Sequence, residues 1–436
     1  MAKEKEITKE EKETVKEREI AGVKIFEFDS KEVLDINSVH GDIPIVVMDL
    51  AGMYAAAALV HPDGKIKRAD GISRVGIPYS TATALEDIKK KGITLEKGLV
   101  MGEQALDPSI RHLLKDVKAP TKNLKTIGED LEFYKSFAPH LLKKLELKEG
   151  EKYILTVTLP NAFRDEVPEN FMRATWDIGA ELKLDIKGIT IVREAEALAF
   201  KYGIKSHATS VSGGDTTTEI GLVVPIEQDN LERKIDVPYY STIFSAGRKV
   251  RESASNFIRE DLESRGYNNP KSQGFNGDIE RIMCEKYLAI RFPEIDLDEK
   301  DLRALPENKR YKVITVDLRD KLGDKALKLG LQGNPLDLTM IEAPQREFVD
   351  NAFKGVIKIL KEAGEKEDVA RESLETVIVS GGSFLPKNSV EYLTRKLVEA
   401  DCKPGKVIHD TDHKFSTVIG AALVTAERKY LQRSRE

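Results

Sequence analysis

Cysteine is almost absent: the 436 residues hold two, Cys284 and Cys402. Two thiols so far apart supply neither a disulfide framework nor a four-ligand zinc site. Tryptophan occurs once and aromatic residues make up 6% of the chain, which leaves no ring set interleaved with basic residues for an RNA surface. Apolar runs are short. None approaches a bilayer span, and the N-terminus lacks the apolar core of a signal peptide. An excess of one charge sign is also missing: 69 Lys and Arg stand against 74 Asp and Glu, a net charge of −5. No global field recruits nucleic acid or an anionic membrane. The reading is a cytoplasmic chain, long enough for two or more domains.

What is present is an alternation of short apolar runs and glycine turns. The first eighteen residues, MAKEKEITKEEKETVKER, mix both charges with almost no apolar face, which predicts a solvated helix or a disordered arm. IPIVVMDL reads as a buried strand, followed by a turn, a second apolar run MYAAAALV and the turn HPDGK. SVSGGDTTTEIGLVV, Ser210 to Val224, repeats this strand–turn–strand plan roughly 160 residues later, suggesting two related halves facing one ligand. Between them YILTVTLP and GITIV read as strands. One helix is expected to open at Pro168, with Phe171, Ala174, Ile178 and Leu182 on one face, and REAEALAFKYG to form another capped by Gly203. Strands alternating with helices predict α/β mixed sheets covered by helices.

The C-terminal half follows the same grammar. APQREFVDNAFKGVIKILKEAG is expected to start a helix at Pro344, with Val349, Ala352, Phe353, Val356, Ile357 and Leu360 on one stripe. TVIVSGG reads as a strand ending in a double glycine, and a last helix is expected from about Ser416 to Gln432. Segments of about 65–123 and 251–338 read as insertion lobes. Trp176 and the helix phenylalanines are expected in the core. HDTDH, with His409, Asp410, Asp412 and His413, is expected to be a solvated loop rather than a metal site.

Three glycine features stand at strand ends: MDLAG at Asp49, SGGDTTTE from Ser212, and VSGGSFLP at Ser380. Glycine pairs bring backbone N–H groups close to a ligand, while hydroxyls and an acid suit phosphate oxygens and a hydrated cation. Alone, SGGD is equally a hairpin turn that binds nothing. Their order resembles that of the actin-like ATPases, whose superfamily includes chaperone ATPase domains and sugar kinases. Asp49 falls at the magnesium-associated acid of that family's first phosphate loop, with Gly52 beside it. SGGDTTTE lies at the second loop. IVREAEALAFKYG resembles the connecting helix, with Glu194 at the water-orienting position. FSAGRKVRESASNFIREDLESRGY resembles the actin segment that enters the upper lobe of the second domain, DIERIMCEKY the helix with a ribose-contacting Glu at Glu285, VIVSGGSFLP the adenosine motif, and HKFSTVIGAALV the second connecting helix.

The resemblance covers most of the chain from Ile43 to Arg433 and implies a two-domain actin-like ATPase fold with a nucleotide cleft between the domains. Residues 1–40 form a charged extension outside it; 41–205 with 416–436 form domain I and 206–415 domain II. It implies Mg-ATP as ligand, Glu194 and Asp49 as catalytic groups, and Asp49 and Asp215 as magnesium-associated acids. Gly52, Ser212, Gly213, Gly214, Asp215, Thr216, Thr217, Thr218, Gly247, Glu285, Gly381, Gly382 and Ser383 are implied to contact nucleotide. The chain departs from the family where Ala51 and Gly52 follow Asp49, where Ala55 to Ala58 are small, where Ser212 replaces an acid, and where Cys284 replaces a Lys of the actins. Those departures point to slow hydrolysis. The AGR…RGY segment favours filament-forming actins, with self-association, over a non-polymerising ATP-gated clamp like the chaperone ATPase domains; a nucleotide-binding structural protein with little turnover is a third reading, and a sugar kinase fits least.

Overall fold

In the run IVVMDL, Ile45, Val46, Val47 and Met48 are all buried, so consecutive side chains find apolar cover on both faces of a strand, β3 (Ile45–Leu50). In this computed structural model, residues 16–28, 42–50, 54–118, 131–161, 169–204, 206–225, 235–244, 246–250, 252, 311–314, 334–337, 339–364, 367–386, 388–412 and 415–433 are described. Strand β3 is the centre of a five-stranded sheet. It pairs antiparallel with β4 (Tyr54–Val60), and β4 pairs antiparallel with β5 (Ile66–Ile72). On its other side β10 (Lys152–Leu159) is parallel to β3, and β11 (Asp185–Arg193) is parallel to β10.

A second sheet repeats that order. Strand β12 (Ala208–Gly213) forms a hairpin with β13 (Thr218–Pro225), and β14 (Ile235–Ile243) extends it. Beyond β12 come β17 (Thr376–Ser380) and β18 (Lys406–Asp410), both parallel. The five central strands thus match the first sheet one for one, as the repeated strand–turn–strand plan predicts. The second sheet then continues for two strands more: β2 (Val23–Phe28) lies parallel to β18, and β1 (Lys16–Ile20) closes an antiparallel hairpin with β2. The expectation of a solvated helix or disordered arm is corrected for Lys16 to Arg18, and the extension is not separate from the fold. The cause is tertiary: Val23 and Ile25 are fully buried in the core of the second sheet.

Helices α4 (Glu194–Lys201) and α8 (Ser416–Arg433) lie between the sheets and pack on each other, α8 against β3, β10 and β11, and α4 against β12 and β13. Their sequences, EAEALA and STVIGAALVTA, are rich in small residues, which lets the backbones approach. A Cβ on Gly420 would stand 1.8 Å from the carbonyl oxygen of Ala197. The outer face of the first sheet carries α2 (Leu131–Lys143) and α3 (Glu169–Glu181); the second is covered by α5 (Thr339–Ala363) and α7 (Ser389–Glu399), with α6 (Glu367–Glu372) beside α5. The stripe from Val349 to Leu360 faces the core as expected, yet α5 starts before Pro344, which sits inside the helix. Pro168 lies outside the described residues.

Residues after the first hairpin form a lobe of their own: β6 (Val75–Pro78), β7 (Leu95–Glu96), β8 (Leu99–Met101) and β9 (Leu114–Lys118) make a small sheet beside α1 (Ala82–Lys90). This lobe begins later than the expected Lys65, because β5 belongs to the main sheet. Of the segment 251–338 the described pieces are Glu252 and a short hairpin of β15 (Tyr311–Ile314) and β16 (Asn334–Asp337). Trp176 is 48% exposed, which corrects its placement in the core: it stands two residues beyond the buried Ala174, about 200° round the helix.

Candidate functional site

The carboxyl ends of the central strands of both sheets converge, and the glycine turns are there. Gly381, after β17, has φ of +97° and touches the backbone of the opposite loop, where a Cβ would stand 2.2 Å from the carbonyl oxygen of Gly213. Ser383 Oγ donates to the Gly214 carbonyl at 2.5 Å, and the Gly214 carbonyl also accepts the Gly247 N–H at 3.2 Å. Arg248 N–H reaches the Asp215 carbonyl at 2.7 Å. Ser212, Gly213, Gly214, Asp215, Gly247, Gly381, Gly382 and Ser383, read as separate motifs, are therefore one cluster of loops. Gly52 and Glu285 lie outside the described residues, as does Cys284.

Three carboxylates stand beneath these loops. Asp49 is near the end of β3, Glu194 opens α4 directly after β11, and Glu219 lies in β13, opposite Ser212 in the hairpin register. Glu194 is held well above the usual carboxylate range, chiefly by burial, then by the negative charges of Glu219 and Asp49; a hydrogen bond from Ser212 works the other way. Burial pushes Asp49 up to about 6, against a hydrogen bond from Thr158. Glu219, 2% exposed, is pushed up to about 7 by burial. Its Oε2 accepts Thr242 Oγ1 at 2.8 Å and the Asn161 N–H at 3.1 Å, whereas its buried Oε1 has no hydrogen-bond partner among the described residues.

Glu219 and Asn161 were not singled out by sequence reasoning. The signal for Glu219 was there, an acid inside the apolar strand TEIGLVV, where burial demands a partner. Asn161 follows β10; its side-chain carbonyl accepts the Ala195 N–H at 3.3 Å, fixing the first turn of α4 beside Glu194. Asp215 Oδ2 lies 3.7 Å from Arg248. Thr217 bonds Glu219 through its side chain and accepts the Gly214 N–H at 2.9 Å through its carbonyl, while Thr216 is partly exposed and Thr218 is buried.

Among the described residues no three His, Cys, Asp or Glu are grouped to ligate a metal directly. The donor set suits a different binding mode. Three buried carboxylates with raised proton affinity, one with an oxygen that has no hydrogen-bond partner among the described residues, favour positive charge beside them, and magnesium characteristically keeps several waters between itself and such acids.

No protein-family model matches the chain, and no curated protein sequence matches it. Solved structures do. MreB 5 of Spiroplasma citri bound to AMPPNP is 13% identical with a TM-score of 0.59, covering 91% of this chain and 100% of its own. A MamK double helical filament is 16% identical with a TM-score of 0.56, covering 90% and 99%. The chain has the actin-like fold. A non-polymerising MamK mutant bound to AMPPNP, 16% identical with a TM-score of 0.51, covers 89% of this chain and 100% of its own. The actin-like fold has two domains, and the two equivalent sheets account for them.

One further expectation is corrected within this actin-like fold. His409, Asp410 and Asp412 of HDTDH are buried, not a solvated loop; His413 is outside the described residues. Asp410 is at the end of a central strand, and Lys201 at the end of α4 reaches it at 3.2 and 3.3 Å and Ser416 Oγ at 2.6 Å. Burial pushes the His409 imidazole down to about 4. No helix among the described residues is long and apolar enough to cross a membrane.

Proposed function

We propose that this chain binds Mg-ATP between its two sheets, hydrolyses it slowly and assembles into filaments. The observation that carries the reading is the contact of the glycine turns after β12 and β17 with each other and with the Gly247 turn, beside Asp49, Glu194 and Glu219. Domain I comprises the first sheet with α8, and domain II the second sheet, now including β1 and β2. The AMPPNP complexes and the filament among the similar structures support nucleotide binding and head-to-tail assembly.

In this reading Asp49, Glu194 and Glu219, with Asp215 further along the turn, would hold hydrated magnesium. Bound magnesium supplies positive charge against the phosphates. Glu194 orients the attacking water and takes its proton at the carboxylate; Ser212 Oγ steadies that carboxylate. The loop N–H groups of Gly213, Gly382 and Gly52 and the hydroxyls of Thr216 and Ser383 are assigned to the nucleotide, with Glu285 to the ribose. A neutral hydroxyl at Ser212 in place of an acid leaves the cation less firmly positioned, so turnover is slow.

Sedimentation with and without Mg-ATP, paired with phosphate release, tests the proposal. Pelleting that needs Mg-ATP, with release slower than assembly, is the expected result. Polymer without any phosphate release moves the reading to a nucleotide-binding structural protein, which Ser212 favours. No pelleting and no nucleotide affinity overturn it.

A further inference from the structure

The two sheets are equivalent over five strands, β5-β4-β3-β10-β11 and β14-β13-β12-β17-β18, and differ beyond the fifth. In the second, the β1–β2 hairpin continues the sheet. Its register brings Phe28 opposite Asp410, the residue that receives Lys201. The hairpin therefore ends where α4 stops and α8 is about to start.

Its contacts there reach both helices. The Phe28 carbonyl accepts Thr411 N–H at 3.1 Å and Thr411 Oγ1 at 2.8 Å, fixing the chain that leads into α8. The Phe28 ring lies 5.3 Å from that of Tyr202, the C-cap of α4, and packs against the aliphatic cluster shared by both sheets and both helices. Lys201 Nζ stands over the Tyr202 ring at 5.2 Å. Asp410 additionally accepts Ser380 Oγ at 3.3 Å and Asp412 N–H at 3.0 Å, so the same junction continues to the glycine turn after β17.

The hairpin is also anchored within the second sheet's own layer. Arg18 pairs with Glu27 at 3.0 Å and with Glu391, a 2% exposed residue of α7, while Val23 and Ile25 fill the core. The hairpin is thus fixed along its length to the body of the second sheet, and its Phe28 end also grips the point where α4 and α8 meet.

We infer that the N-terminal hairpin is a hinge clamp, restraining rotation of the first sheet against the second through Phe28, Tyr202 and Thr411. A simple cover for the edge of β18 needs only the strand pairing. The contacts of Phe28 to α4 and to the start of α8 go beyond it, since those helices carry the connection to the first sheet. The inference concerns the nucleotide-free chain and stands apart from the proposed ATP chemistry.

The test is hydrogen exchange and a distance distribution on the full chain without nucleotide. Spin labels at Lys187→Cys on β11 and Lys354→Cys on α5, with Cys284→Ser and Cys402→Ser, report the angle between the sheets. In Phe28→Ala, amides of β2 should keep their protection while Tyr202, Gly203 and the first turn of α8 exchange about 10-fold faster, and the distance distribution should broaden. Removal of residues 1–28 should broaden it further. If Phe28→Ala also frees β2, the truncated chain decides. A distribution that stays as narrow without residues 1–28 as with them overturns the clamp and leaves an edge cover.

Discussion

Glu219 is buried against Asn161, Thr217 and Thr242 with one oxygen unpartnered, and Asp49 and Glu194 stand near it. The raised proton affinities have a definite consequence for stability. A carboxylate with a folded pKa above its unfolded value keeps a proton that the unfolded chain releases, so stability falls as pH rises through that window. With Asp49 at about 6 and Glu219 at about 7, the nucleotide-free, magnesium-free protein should lose stability from roughly pH 4 to 7. Urea denaturation at pH 5 and 8 measures this. Glu219→Gln should flatten the profile and stabilise the protein at pH 8 by on the order of 1–3 kcal/mol; an unchanged pH slope would exclude Glu219 as a source. Ser212→Asp adds a fourth acid beside Glu194. It should lower the melting temperature without magnesium, recover it with magnesium, and raise phosphate release; unchanged turnover would remove Ser212 as the cause of the proposed slow hydrolysis.

The α4–α8 contact depends on the absence of a single side chain. With a Cβ at Gly420 only 1.8 Å from a backbone oxygen of α4, Gly420→Val must push the helices apart, and about 1–3 kcal/mol of stability should be lost. Thermal unfolding checks the loss, with Lys403→Ala, at an exposed position before β18, as the control that should leave the transition in place. Both connecting helices were legible from their sequences, since Gly203 and the small residues mark an end and a close approach. The N-terminal hairpin was not. Local composition in KEREIAGVKIFEF is charged and β-branched by turns, and pairing with β18, almost four hundred residues away, decides it.

Ionic contacts between the elements of the two sheets include three of low exposure. Lys201–Asp410 ties α4 to the end of β18, Arg428–Glu196 ties α8 to α4, and Arg193–Asp236 ties β11 to β14. Lys201→Ala should be among the most harmful single changes, costing about 3–5 kcal/mol, because it strands the Asp410 carboxylate in the interior. Lys201→Met with Asp410→Leu should regain much of that loss. Chemical denaturation of the two variants checks the pair; equal instability of both would mean that Ser380 and the Asp412 N–H depend on the acid as much as Lys201 does.

Local periodicity and turn chemistry were enough to find β3, β12 and β17, the amphipathic stripe of α5 and the glycine turns after β12 and β17, because each is a short-range pattern whose cause lies within a few residues. They also sufficed to order those loops as an actin-like chain. The meeting of Asp49, Glu194 and Glu219 was beyond local reading, since it depends on how β3, β11 and β13 from two sheets are set against each other. So was the burial of His409, Asp410 and Asp412. A string of His and Asp looks solvated until a lysine two hundred residues earlier is brought to 3.2 Å and makes burial tolerable. Backbone conformation follows from neighbours in sequence, whereas the charge state of a carboxylate follows from neighbours in space, and only the assembled sheets supply those.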